Sequence, residues 1–92
     1  MIAQMTSVAY VKDYVIRCEF SHGKVKFYDC CAQLIGKGVF NRIKAFEVFR
    51  AVNLQNHTVT WLNGEVDIAP DTVYTNGSDS LEGLQRGRFS RV

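Results

Sequence analysis

Two stretches of this chain alternate apolar and polar residues with a period of two, and each is interrupted by a glycine-containing turn. In residues 14–30, YVIRCEFSHGKVKFYDC, Tyr14, Ile16, Cys18 and Phe20 fall on one face of an extended chain and Val15, Arg17 and Glu19 on the other. After SHG, Val25 and Phe27 alternate with Lys24, Lys26 and Tyr28. In residues 58–68, TVTWLNGEVDI, Val59 and Trp61 alternate with Thr58 and Thr60 before the turn, and Val66 and Ile68 with Glu65 and Asp67 after it. A chain patterned this way buries its apolar residues through antiparallel hairpins rather than helices.

The turns fit that assignment. Gly23 tolerates positive φ without strain, and Asn63-Gly64 is the strongest two-residue hairpin signal, predicting a type I′ turn. Residues 6–12, TSVAYVK, add an N-terminal strand rich in β-branched and aromatic residues. Val52 and Leu54 start the second group of strands, and residues 55–57, QNH, turn it. Between the groups, Gly36 and Gly38 bracket Lys37 in a loop whose Leu34, Ile35, Val39 and Phe40 are expected to reach the core. In KAFEVFR, Phe46 and Phe49 with the earlier Ile43 predict a short amphipathic helix stabilised by packing. Pro70 followed by Asp71 predicts the first turn of another. The expected fold is α+β: a small curved antiparallel sheet of hairpins, five or six strands, covered by a short helix. Residues 1–75 form its single domain, and 76–92 a polar, basic, flexible tail.

With 92 residues, 47% of them hydrophobic, there is material for one core. A net charge of +2 announces no nucleic-acid binder. No run of about 18 apolar residues suggests a membrane span, and MIAQMTSVAY lacks the basic and apolar regions of a signal peptide, so a cytoplasmic location is expected. Cys18, Cys30 and Cys31 have no metal-type spacing and read as reduced thiols.

Each candidate for chemistry has a simpler reading. His22 and His57 lie in turns with no partner at metal-ligand spacing. Cys18 shares the apolar register, where a thiol is inert. Glu65, Asp67 and Asp71 read as solvated faces and caps, with Asp71 capping a helix and Asp67 bonding loop amides. Gly36-Lys37-Gly38 lacks the full pattern of a phosphate loop. Arg17, Lys24, Lys26 and Tyr28, expected on the solvent side of the first hairpin, form a candidate basic contact face, to which Arg86, Arg88 and Arg91 of the tail add. No catalytic residue, metal ligand or cofactor is expected, and no enzyme.

Three pieces carry a resemblance: SHGKV, then GKGVF before AFEVFRAV, then TVTWLNGEVDIAPDTVY. In this order they resemble a family of short bacterial proteins known only as domain-of-unknown-function family 2442, over about residues 5–75. The matching positions are Gly23, Gly36, Gly38, Val39, Phe40, Trp61, Asn63, Gly64, Asp67, Pro70 and Tyr74; Leu62 stands where the family usually has Pro, and Glu65 adds an acid after the turn. The resemblance implies a curved antiparallel sheet with a covering helix and no established activity. Some relatives carry a helix-turn-helix domain and many lie beside small toxin-like genes, which implies an antitoxin-like or regulatory role. The tail of about seventeen residues is too short for a helix-turn-helix, so operator binding is not expected.

The leading expectation is therefore a protein-interaction module. It takes its partner, a toxin among the candidates, or a further copy of itself by strand addition at the N-terminal strand or at residues 65–68. Weak nucleic-acid binding through the ribbon face and tail is the alternative. A small-ligand site at Asp67, Trp61 and Tyr74 is the third.

Overall fold

A computed structural model describes residues 4–31 and 38–82. The expectations for Leu34, Ile35, Gly36, Lys37, Arg86, Arg88 and Arg91, and for the side chains of Val39 and Phe40, lie outside the described residues.

Among the described residues, six antiparallel strands form two three-stranded sheets. The first has the order β1 (Met5–Lys12), β2 (Val15–Phe20), β3 (Val25–Asp29), and the second β4 (Asn53–Gln55), β5 (Thr58–Trp61), β6 (Val66–Ile68). The single curved sheet expected from the sequence is thus two meanders, joined by a 3-10 helix at Val39–Ile43 and a one-turn helix, α1 (Phe46–Phe49). A second helix, α2 (Pro70–Asn76), packs against β3. Pro70 opens it at a position needing no amide donor, and Asp71 lies in its first turn. Asp71 is not its cap: the N-cap is Ala69 and no side chain bonds the helix end.

One core unites these pieces. Met5, Ile16, Cys18, Phe20 and Tyr28 come from the first sheet, Cys30 from the turn just after β3, Val59, Trp61, Val66 and Ile68 from the second sheet, and Ile43, Phe49 and Val73 from the helices. Each large side chain among them contributes about 1.5–3 kcal/mol by leaving water. Trp61 is the hub. Its ring stacks on Phe49 at 5.4 Å, and its indole Nε1 donates to the Phe49 carbonyl at 2.9 Å. Because α1 has a single turn, only Phe49 is fully buried; Val48 packs partly against the core, and Phe46 is 46% exposed and stacks on Tyr14 instead. The Tyr14 hydroxyl donates to the Lys44 carbonyl, fixing the β1–β2 turn to the entrance of that helix.

The two hairpins depart from expectation in opposite ways. In the first, Glu19 pairs with Val25, Arg17 with Phe27 and Ile16 with Tyr28. A five-residue connection, residues 20–24, closes it, with the Phe20 amide donating to the Lys24 carbonyl at 2.8 Å. One residue more or fewer inverts every side chain of a strand. Here Lys26 and Tyr28 therefore share the face of Cys18 and Ile16, while Val25 and Phe27 join Arg17 and Glu19. Arg17, Lys24, Lys26 and Tyr28 do not form one basic face, and Tyr28 is buried.

In the second hairpin the expected register holds, with Trp61 opposite Val66, but the ladder opens there. Leu62 and Asn63 take φ of 55° and 56° and Gly64 takes 92°, giving a four-residue loop rather than a two-residue type I′ turn. The paired positive φ of a type I′ turn occur at Asn56 and His57, 53° and 63°, between β4 and β5. His57 then donates through Nδ1 to the Met5 carbonyl at 3.1 Å, tying the second sheet to β1. At Gly64 a β-carbon would lie 2.7 Å from the end of the Gln55 side chain, which can move aside, so the positive φ dominates the cost. Gly64→Ala is expected to destabilise by about 1 kcal/mol, measured as a shift of the urea midpoint with unchanged slope.

Candidate interaction site

The residues singled out by sequence divide into two groups in space. Trp61 is fully buried in the core. Asn63 accepts from the Gln55 side-chain amide at 3.3 Å within its loop. Asp67 is exposed and opposite Thr60 in the ladder, on the other face from Trp61 and Val66. Among the described residues Asp67 makes no side-chain hydrogen bond, so its expected contact with loop amides is absent. Glu65 pairs with Arg42 at 2.6 Å. Trp61, Asp67 and Tyr74 are not brought together: Trp61 packs on Phe49, whereas Tyr74 leaves α2 towards Phe20 of the first sheet. The small-ligand constellation expected from these three is not assembled, because strand alternation places Asp67 and Trp61 on opposite faces.

The second group converges at the turn end of the first hairpin. Gly23, at φ 93°, closes the turn through its amide, which donates to the Phe20 carbonyl at 2.9 Å. Phe20 meets the Tyr74 ring edge-on at 5.1 Å, and the Lys26 ammonium lies 5.2 Å from the centroid of that ring. His22 Nε2 lies 3.3 Å from the Tyr74 hydroxyl. Lys26 and Lys24 both reach one carboxylate oxygen of Asp79, at 3.0 and 3.3 Å. Lys26 is the more enclosed of the two, its side chain 13% exposed against 42% for Lys24, because it lies under Tyr74. Hydrogen bonds from Lys26 and then Lys24 hold the Asp79 carboxyl below the usual carboxylate range. Arg17 is on the opposite face, 3.7 Å from Glu19.

Phe20, His22 and Asp79 complete this patch without having been assigned to it from sequence. Each meets its partners across a long stretch of chain, Asp79 from beyond the boundary placed at residue 75. The folded unit continues past that boundary, since Ser78 pairs with Phe27 on the outer side of β3.

Elsewhere the reactive groups are held quiet. Cys18 is fully buried, and burial pushes its thiol up to about 12, with Arg17 opposing weakly. Burial, then the nearby Cys18, Asp29 and Cys31, raises Cys30 still further. Cys31 is half-buried. Among the described residues no three of His, Cys, Asp and Glu gather as a metal site, and no helix is long and apolar enough to cross a membrane.

Six antiparallel strands, short helices and an aromatic-basic patch at one hairpin end define a small α+β protein. The model of the family described as proteins of unknown function, DUF2442, matches residues 5–78, and the chain belongs to that family. No curated protein and no solved structure matches the chain.

Proposed function

We infer that the chain is a non-enzymatic protein-interaction module, acting in the cytoplasm in an antitoxin-like or regulatory capacity. The observation that carries this reading is the patch at residues 20–26, where Lys24, Lys26, His22 and Tyr74 meet around an ordered turn. Tyr74, standing at a sheet end, is an anchor of the type protein interfaces favour, and the lysines beside it supply charge complementarity. The core thiols are raised and buried, which suits packing rather than chemistry. The antitoxin-like role draws on the family resemblance, and a toxin is one class of partner that fits it.

The nucleic-acid reading is the weaker one. Lys24, Lys26, Arg17 and Arg42 each face a carboxylate, and Arg17 and Lys24 lie on different faces. A backbone-tracking groove needs cations free for phosphates along one face.

The tagged full chain, purified from its own host alongside a Lys24→Glu/Lys26→Glu variant of equal thermal midpoint, tests the interaction reading. The expected result is one polypeptide retained in near-stoichiometric amount by the native chain and at least tenfold less by the variant. Equal retention by both would move the interface away from the patch, and nothing retained by the native chain would end the reading.

A further inference from the structure

β3 is an edge of the first sheet, and the chain covers part of that edge with its own backbone. Immediately after α2 the Ser78 amide donates to the Phe27 carbonyl at 2.7 Å, and the Phe27 amide donates to the Ser78 carbonyl at 2.8 Å. One residue further, the Asp79 carboxylate reaches Lys26 and Lys24 at 3.0 and 3.3 Å. Val25 turns its backbone to the same edge as Phe27, by the alternation of an antiparallel ladder. The pairing with residues after α2 is a single isolated bridge. One bridge and two ion pairs to the exposed Asp79 carboxylate form a clasp that another chain can displace.

Gly77 makes this clasp sterically possible. A β-carbon at Gly77 would lie 2.6 Å from the Val73 carbonyl oxygen, 3.1 Å from that of Phe27 and 3.2 Å from the Lys26 β-carbon. The first two are backbone atoms, which cannot swing aside as a side chain does. Gly77 is extended, with φ −76° and ψ 167°, so its requirement is space alone.

We propose that residues 77–79 are an internal stand-in for a partner: an extended acidic segment of another polypeptide adds as a strand to the Val25–Asp29 edge and sets a carboxylate between Lys24 and Lys26. Two observations choose this occupant. The chain's own segment already shows both contacts, backbone pairing at Phe27 and a carboxylate at the lysines. The lysine pair is also complementary to an acid and repels a basic strand. The proposal deepens the interaction reading and rests on it, adding that the site is covered in cis until the partner arrives.

The test uses full-length chain as wild type, Gly77→Val and Asp79→Lys, the last keeping the backbone unchanged should the first fail to fold. Amide hydrogen exchange at Phe27 and Ser78 reports clasp opening, and exchange as slow as wild type in both variants would overturn the displaceable clasp. The probe is a synthetic peptide of residues 75–81, TNGSDSL, titrated while the amide resonances of Val25–Asp29 are followed. Both released variants should bind it more tightly than wild type by on the order of tenfold, because the competing internal segment is gone. The same peptide with Lys for Asp should not bind, and adding Lys26→Glu to a released variant should abolish binding. Equal affinity of released and wild-type chains would overturn the proposal. So would conversion of the released variants to dimers in light scattering, which would assign the edge to a second copy. A partner lost from Lys24→Glu/Lys26→Glu but indifferent to clasp release sinks the clasp alone; peptide binding without any captured partner sinks the interaction reading alone.

Discussion

Trp61→Ala is expected to lower the stability of this domain by about 3–5 kcal/mol. That is a large part of the roughly 5–14 kcal/mol available to a chain of this length. Three losses add together. The indole leaves a cavity between the second sheet and α1, the stack with Phe49 disappears, and the Phe49 carbonyl loses its donor inside the core. Trp61→Phe is the milder change: it keeps a smaller aromatic ring against Phe49 and loses the hydrogen bond and part of the buried volume, for about 1–3 kcal/mol. Because the chain has one Trp, urea denaturation of both variants is followed by circular dichroism rather than by its fluorescence. A Trp61→Ala midpoint close to that of wild type would show that Trp61 is not the hub of the core.

Alkaline destabilisation is the second large effect. An unfolded cysteine loses its proton near pH 9, whereas burial holds Cys18 protonated up to about 12 and Cys30 beyond it. Above pH 9 the folded state thus binds more protons than the unfolded one, and stability falls as pH rises. The stabilising contribution of the neutral thiols is complete below pH 9 and is lost progressively between about 9 and 12. Each buried thiol steepens the decline by about 1.4 kcal/mol per pH unit across that window. Unfolding free energies at pH 8, 9.5 and 10.5 for wild type and Cys18→Ala/Cys30→Ala check this, since other groups titrate in both. The double variant should lose less stability with rising pH; parallel declines would show that the two thiols are accessible.

Legibility in the sequence followed the range of the interactions involved. The alternation in residues 14–20 and 58–68 was enough for antiparallel hairpins and for burial of Ile16, Cys18, Phe20, Val59 and Trp61. Pro70 marked a helix start because its missing amide and fixed φ act locally. The face of β3 was not legible, since its register depends on whether the SHG connection holds four residues or five, and Gly23 is compatible with either. The type I′ geometry at Asn56 and His57 was hidden because no Gly marks that turn; the His57 bond to the Met5 carbonyl, a contact distant in sequence, holds it there. The candidate site was half legible. Gly23, Lys24, Lys26 and Tyr74 were named, but nothing local joined Tyr74 to Lys26 or Asp79 to the lysine pair.

The proposed interaction brings another polypeptide to the turn end and outer edge of the first hairpin of this α+β scaffold. The most direct measurement is hydrogen exchange of the full chain, free and in complex with the polypeptide it retains. The expected result is slowed exchange at the outward amides of Val25 and Phe27, with the β4–β6 sheet unchanged. Protection confined to β6 or the face around Phe46, with β3 exchanging as in the free chain, would contradict it.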